Sequence, residues 1–209
     1  YERALKQRNS LLKTRAPQAS IEPWDNHLAH FGGELLAARV GIVAALQPHF
    51  ASSYNSISEK KPAALAYKSS IESATNVKSE NEKEILERIK EISYQERERG
   101  ISLVGPHRDD LLLHLGNQPV KGYASHGESW SIALSLRLGS YELLKKQDTQ
   151  PILILDDVFS ELDEKRRERL SEVARSAEQT FITVAVGNDL PPEIKGARFL
   201  VYSGTVRSL

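Results

Sequence analysis

The stretch Pro151 to Asp163, PILILDDVFSELD, constrains the fold of this chain more than any other. Ile152, Leu153, Ile154 and Leu155 form an unbroken branched apolar run, too short for a helix and apolar at every position, so it predicts a strand buried on both faces. Asp156 and Asp157 follow at once. A buried parallel strand delivers such residues to the carboxyl edge of its sheet, where open α/β folds place their ligands. Ser160-Glu161-Leu162-Asp163 then predicts a helix start, with Ser160 as N-cap and Asp163 in the third helical position, at the positive end of the helix dipole. An ordinary buried strand that ends in acids reads the same way, so a second site is needed to separate the two.

Bulk composition leaves several classes open. At 209 residues and 40% apolar content the chain can build a substantial core, as one large domain or two small ones. Lys plus Arg is 28 and Asp plus Glu is 28, so no global field selects a nucleic acid or a membrane, while local patches stay possible. With no Cys there is neither a disulfide framework nor a thiolate metal site. No uninterrupted apolar run approaches the roughly 20 residues of a membrane span, and no signal peptide heads the chain, so the expectation is a soluble cytoplasmic protein. The lack of Met, with Tyr1 first, suggests a natural start further upstream.

The first hundred residues read as helical. Tyr1 to Arg15 is basic, with Arg3, Lys6, Arg8, Lys13 and Arg15 against Glu2; it predicts either a solvated helix or a phosphate-contacting face. Pro17 and Pro23 are expected to break it. From Asp25 to about Phe50, Leu28, Phe31, Leu35, Ile42, Leu46 and Phe50 recur at helical spacing, with Asp25 or Asn26 as cap, Gly32-Gly33 weakening one turn and Pro48 near the end. Ala51 to Asn76 is Ser- and Ala-rich, carries Lys60 and Lys61, and supports only a loop with one short element. Lys78 to Gly100 predicts a helix with Ile85, Ile89 and Ile92 as its apolar stripe and Gly100 as its stop.

The texture then changes. Ile101 to Val104 and Leu111 to Leu115 predict small β elements around Gly105-Pro106-His107-Arg108-Asp109-Asp110, with a turn at Gly116-Asn117. His107, Asp109, Asp110 and His114 are either a metal set or an Arg–carboxylate structural turn. Glu128 to Lys146 carries Trp130, Ile132, Leu134, Leu138 and Tyr141 around most of its surface, so a helix buried on more than one side is expected. A helix from Glu161 to about Ala177, a strand from Phe181 to Val186 and a last strand from Phe199 to Tyr202 complete half of an α/β domain.

The second site is Tyr123-Ala124-Ser125-His126-Gly127-Glu128, a small-residue turn before the buried helix. A hydroxyl, a glycine that admits close backbone approach and the free amides of a helix N-terminus bind phosphate well. A plain capping box, Ser125 with Glu128 three residues on, is the structural alternative.

The order of these segments resembles the signature motif, Walker B strand and D-loop of the ABC and SMC class of ATPases. Gly105-Pro106-His107-Arg108, Ser125-His126-Gly127-Glu128 and Asp156-Asp157 with Ser160-Glu161-Leu162-Asp163 are similar, more narrowly, to the RecF family of bacterial DNA replication and recombination repair proteins. Ala4-Leu5-Lys6-Gln7-Arg8-Asn9 looks like the start of that family's helical arm. The resemblance implies an α/β fold: a helical arm over residues 1–100, then the signature and Walker B half of an ABC-type ATPase head over 101–209. It implies ATP and Mg²⁺ as cofactors, with Asp156 holding the metal and Asp157 positioning the attacking water. It also implies that Ser125, His126, Gly127 and Glu128 form the nucleotide-contacting turn, Ser125 and Gly127 meeting the γ-phosphate held by an opposite protomer, with Asp163 at the dimer seam. The implied function is an ATP-gated homodimer on single-/double-stranded DNA junctions at gaps, helping to load the recombinase during repair and the SOS response, with RecR and RecO as partners and no membrane.

Two features depart from the class. No G-x-x-x-x-G-K-[ST] loop occurs in the chain, so it carries no Walker A cradle and is not expected to hydrolyse ATP alone. No His follows the strand from Phe181 to Val186; Gly187-Asn188-Asp189 stands there. Asp157 replaces the Glu usual in ABC enzymes, which predicts slow hydrolysis. A kinase reading of His107-Arg108-Asp109 fails because His114 stands where Asn is required, and a hydrolase elbow fails because Tyr123 stands where Gly is required. Another SMC-like repair ATPase, or a non-enzymatic DNA-binding or scaffolding module, are the rival readings; the first should show sustained heptads, which are absent.

Overall fold

The computed structural model describes residues 1–58, 61–146, 150–160 and 162–209; Lys60 and Glu161, singled out above, lie outside them. The elements run α1 (Glu2–Lys13), α2 (Gln18–Ile57), β1 (Ala63–Lys68), α3 (Lys78–Arg99), β2 (Asp110–Leu115), β3 (Gln118–Pro119), α4 (His126–Lys145), β4 (Leu153–Asp156), α5 (Glu164–Ser176), β5 (Thr180–Thr183), β6 (Phe199–Tyr202) and β7 (Thr205–Ser208).

The spine is α2, a 40-residue helix that packs along α1, α3, β1 and α4. It begins at Gln18 rather than Asp25 and runs through Pro23 and Pro48, so Pro23 does not break it. Each interior proline costs about 3 kcal/mol. Against that, Ile21, Leu28, Leu36, Phe50, Tyr54 and Ile57 are all buried, each favouring the folded helix by roughly 1.5–3 kcal/mol. Burial wins, and the helix continues. By length and composition α2 could cross a bilayer, contrary to the sequence expectation that nothing here could. Leu28, Leu36, Phe50 and Tyr54 pack against protein neighbours while Phe31 and Ile42 of the expected stripe are exposed, and the length of the helix places its two ends in different core clusters.

Asp25 is not a cap. It lies buried inside α2 and accepts from Arg8 Nε at 2.6 Å, while Arg8 Nη2 meets Glu96 of α3 at 2.6 Å and Nη1 meets Ser102 Oγ at 2.7 Å. Arg8 is 2% exposed. Of the basic N-terminal residues, this one therefore ties three helices together and has no surface left for phosphate. Gly33 marks where α3 crosses α2: a Cβ there would stand 2.8 Å from the Lys78 carbonyl oxygen. The glycine pair expected to weaken a turn is the crossing point.

β1 and β2 pair antiparallel from Ala63–Leu115 to Lys68–Asp110, and β3 returns from β2 through the turn at Gly116. This sheet spans the expected boundary at residue 100, as does the packing of α2 on α4. Ile101 to Val104 forms no strand.

β4 and β5 are parallel, in register from Leu153–Thr180 to Asp156–Thr183. Leu153 and Leu155 pack beneath α4 and α5 with Leu138, Tyr141, Phe159, Leu162 and Leu170. Ile152 and Ile154 are 54% and 68% exposed, so the strand is buried on one face, not two. The reason is local: within this chain both helices lie on the same side, and the alternation of a strand sends every second residue away from them. β5 ends at Thr183, short of the expected Val186, and β6 and β7 form an exposed hairpin.

Candidate functional site

The acidic pair sits at the carboxyl end of β4. Thr183 donates its hydroxyl to Asp156 Oδ1, and the Asp157 amide donates to the Thr183 carbonyl at 3.1 Å and to its hydroxyl oxygen at 3.2 Å. The Ser160 hydroxyl donates to the Asp157 carbonyl at 3.0 Å. These bonds fix a sharp exit from the strand in which Asp157 has φ +50°, a left-handed conformation that Asp tolerates better than most residues. Such outliers persist only where neighbours over-determine them, and they gather at functional sites. Asp156 and Asp157 are both exposed. Thr183 is the residue that sequence reasoning missed here; parallel register opposite Asp156 is what selects it.

The Ser125 turn forms the cap that S-x-x-E predicts. Ser125 Oγ accepts the Glu128 amide at 3.3 Å, and Glu128 Oε2 accepts the Ser125 amide at 2.9 Å. Lys61 reaches Glu128 Oε1 at 3.1 Å from the loop before β1. The Ser125 amide, then Lys61, hold the Glu128 carboxyl down to about 2. The cap uses a lone pair of Ser125, leaving its proton to donate, and the amides of His126 and Gly127 are first-turn groups that the helix does not satisfy. His126 is exposed, Gly127 half-buried. The turn can therefore act as cap and oxyanion donor together.

Asp163 is the N-cap of α5, not its third residue: Oδ1 accepts the Arg166 amide at 3.0 Å and Oδ2 pairs with Arg166 Nη1 at 3.3 Å. Arg166 Nη2 lies 3.8 Å from where a Cβ on Gly127 would stand. Arg166 thus stands near Gly127, and the pairing of Lys61 with Glu128 is not legible in the sequence because the two lie in distant segments. The hydrogen bonds join Ser125 with Glu128, and Asp156, Asp157 and Ser160 around the strand exit, while Asp163 bonds within the first turn of α5.

The Gly105–Asp110 segment is a structural turn. His107 Nε2 donates to the Ser102 carbonyl at 3.1 Å, which leaves Nδ1 to accept from the Tyr1 hydroxyl at 2.6 Å. Burial lowers the His107 pKa and keeps the ring neutral. Asp109 accepts from the Ser70 amide and the Tyr67 hydroxyl, each at 2.7 Å. Arg108 turns to the Ser102 carbonyl rather than to a carboxylate. Among the described residues no group of three or more His, Cys, Asp or Glu is placed to hold a metal. That is compatible with Mg²⁺ on one or two carboxylates completed by phosphate oxygens and water, and not with an all-protein cage.

No protein-family model matches the chain. It is 48% identical over 217 residues to the DNA replication and repair protein RecF of Streptomyces avermitilis, covering 99% of this chain and 58% of that protein. Against RecF of Beutenbergia cavernae it is 44% identical over 240 residues, covering 99% of this chain and 60% of the relative. The chain spans somewhat less than two thirds of these relatives. Among solved structures, the recombination mediator RecF with ATPrS, from the RecFOR pathway, superposes with TM-score 0.84 at 24% identity, over 100% of this chain and 57% of that one. Its ATP-bound counterpart gives 0.83, over 56% of that chain. The fold is therefore that of these RecF structures, an α/β fold. Over nearly its whole length the chain is RecF-like, at 44–48% identity to these relatives.

Proposed function

We propose that this chain is part of an ATP-dependent DNA-binding protein that acts in DNA replication and recombinational repair in the cytoplasm. The observation that carries the reading is the 48% identity, across 99% of the chain, to a protein named for DNA replication and repair. In this reading the ordered series of the capped Ser125 turn, the Asp156-Asp157 strand exit and the Asp163 cap serves one nucleotide-dependent interface. Ser125 and the His126 and Gly127 amides donate to the terminal phosphate held by an opposite protomer, and Glu128 fixes the turn that presents them. Asp163 lies at the seam. Asp156 carries Mg²⁺, whose chemistry is to neutralise charge on the phosphates. Asp157 orients the attacking water, and its short side chain makes hydrolysis slow. The division into an arm over residues 1–100 and a head over 101–209 belongs to the same proposal, with α2 reaching from one into the other. So do single-/double-stranded DNA junctions and RecR- and RecO-like proteins as partners, and recombinase loading at gaps.

Sedimentation of the full-length protein with and without ATP and Mg²⁺ tests this, comparing wild type with Ser125→Arg. The expected result is an ATP-driven dimer that the substitution blocks. If ATP leaves the wild type monomeric, the Ser125 turn is a helix cap only, and a non-enzymatic DNA-binding or scaffolding module is the better reading.

A further inference from the structure

The cations of α3 fall into two groups. Lys83 pairs with Glu87 at 3.8 Å and Arg88 with Glu91 at 2.6 Å, each along the helix's own surface. Lys90 and Arg97, two turns apart on one face, meet no carboxylate. Arg97 Nη1 donates to the Ala16 carbonyl at 3.2 Å and Nη2 to Gln18 Oε1 at 2.5 Å, both neutral oxygens. The Lys90 ammonium has no partner among the described residues. Ser93 lies between them, one turn from each. The hydroxyls of Ser131, Ser140 and Ser171, also inside helices, each donate to the carbonyl four residues back; that of Ser93 makes no such bond.

Lys90, Ser93 and Arg97 line one cavity of about 180 Å³ where α1, α2 and α3 meet. Its floor is apolar: Leu12, Ile21 and the neighbouring Ile89. Asp25, also on the wall, has both oxygens committed, Oδ1 to Arg8 Nε at 2.6 Å and Oδ2 to Gln18 Nε2 at 3.3 Å. Around Arg8, Asp25 and Glu96 leave an excess of one negative charge. Lys90 and Arg97 reverse that balance to one net positive charge beside the cavity. The volume lies below the roughly 300 Å³ at which drug-sized pockets begin, so the cavity admits a short molecule or a single side chain.

We propose that this cavity binds a carboxylate carried on a short apolar stem. The carboxylate supplies the single negative charge that Lys90 and Arg97 lack, the Ser93 hydroxyl donates to it, and the stem lies on Leu12, Ile21 and Ile89. A phosphate, close to doubly charged at neutral pH, would exceed the charge to be balanced and bring nothing apolar to the floor. A carboxylate of this kind comes from a free small acid or from a glutamate side chain of a bound protein. The cavity is built on other elements than the Ser125 turn and the Asp156 strand exit, so it stands or falls apart from the nucleotide interface proposed above.

The test uses the full-length protein with its isoleucine methyl groups labelled and read by NMR, so that Ile21 and Ile89 report on the floor. Butanoate is expected to shift both methyls along a saturable curve. Butan-1-ol, the same stem without the charge, is expected to bind about tenfold more weakly. Lys90→Gln removes a charge that makes no other bond, and should weaken butanoate by about tenfold while the remaining methyl signals stay in place; Arg97→Gln should do the same. Lys83→Gln, whose charge sits with Glu87 outside the cavity, should leave binding unchanged. A blocked peptide with one glutamate between glycines separates the two sources: tighter binding than butanoate assigns the site to an acidic side chain of a partner, weaker binding to a free small acid. Four outcomes overturn the proposal: no shift of Ile21 and Ile89 with either acid, equal binding of butanoate and butan-1-ol, undiminished binding in Lys90→Gln, or an equal loss in Lys83→Gln.

Discussion

Arg8 Nη2 stands 2.6 Å from Glu96 Oε2, and the two side chains, 2% and 0% exposed, are sealed from water. Burial works against the charge on Arg8, but the hydrogen bond and charge of Glu96, then those of Asp25, more than offset it and raise the Arg8 pKa. Breaking one side of such a pair leaves a buried, uncompensated charge. Glu96→Ala is expected to cost about 3–5 kcal/mol in urea unfolding. A cost below about 1 kcal/mol, the scale of an exposed pair, would contradict the burial of this network.

The crossing of α4 over α2 turns on Gly139. A Cβ there would stand 2.8 Å from the Phe50 amide nitrogen and 3.0 Å from its Cα, both backbone atoms that cannot give way alone. Alanine normally gains about 1 kcal/mol over glycine inside a helix. Overpacking costs about 1–3 kcal/mol, so Gly139→Ala is expected to destabilise on balance, seen as a lower denaturant midpoint at unchanged slope. A raised midpoint would show that the helices separate freely.

Acid should act on the Ser125 turn through Glu128. Its folded pKa of about 2 lies below the ordinary 4.5, so the stability it contributes is fully present above pH 4.5 and is lost as pH falls through about 2. Glu128→Gln should melt lower than wild type at neutral pH, and the gap should close between those two values. A gap that persists at the acid end would assign the effect to shape and not to charge.

Tyr67 titrates in the opposite sense. Burial, then its bond to Asp109, raises its phenol to about 12 from an ordinary 10.0. The stability this represents is complete below pH 10.0 and is lost as pH rises through about 12. In a near-ultraviolet titration of the tyrosines, the phenolate missing from wild type between these values should appear earlier in Asp109→Asn. If as many phenolates form between pH 10.0 and about 12 in Asp109→Asn as in wild type, burial alone holds the Tyr67 proton.

Much of this was legible in the sequence because it depends on neighbours within a turn or two. The stripe Ile85, Ile89, Ile92 and the stop at Gly100 give α3; Ser125 with Glu128 gives the cap of α4; the apolar run ending in Asp156-Asp157 gives β4 and its edge. The start of α2 is not legible at Pro23 and Asp25, because burial along the whole helix outweighs two prolines and Arg8 claims the carboxylate.

Sequence alone, then, determined the core of most helices and the β4 strand, the order of the acidic strand exit and the small-residue turn, and the family that this order resembles. Tertiary structure decided everything that depends on segments far apart in the chain. It buried Arg8 by bringing Glu96 within reach, exposed one face of β4 because both helices lie on the other, and set Thr183 against Asp156 through parallel register. It also placed Lys61 against Glu128 of the Ser125 turn. The physical reason is common to all of these: periodicity and capping report the backbone's own preferences, while the partner of a charge is chosen by packing, which no local pattern encodes.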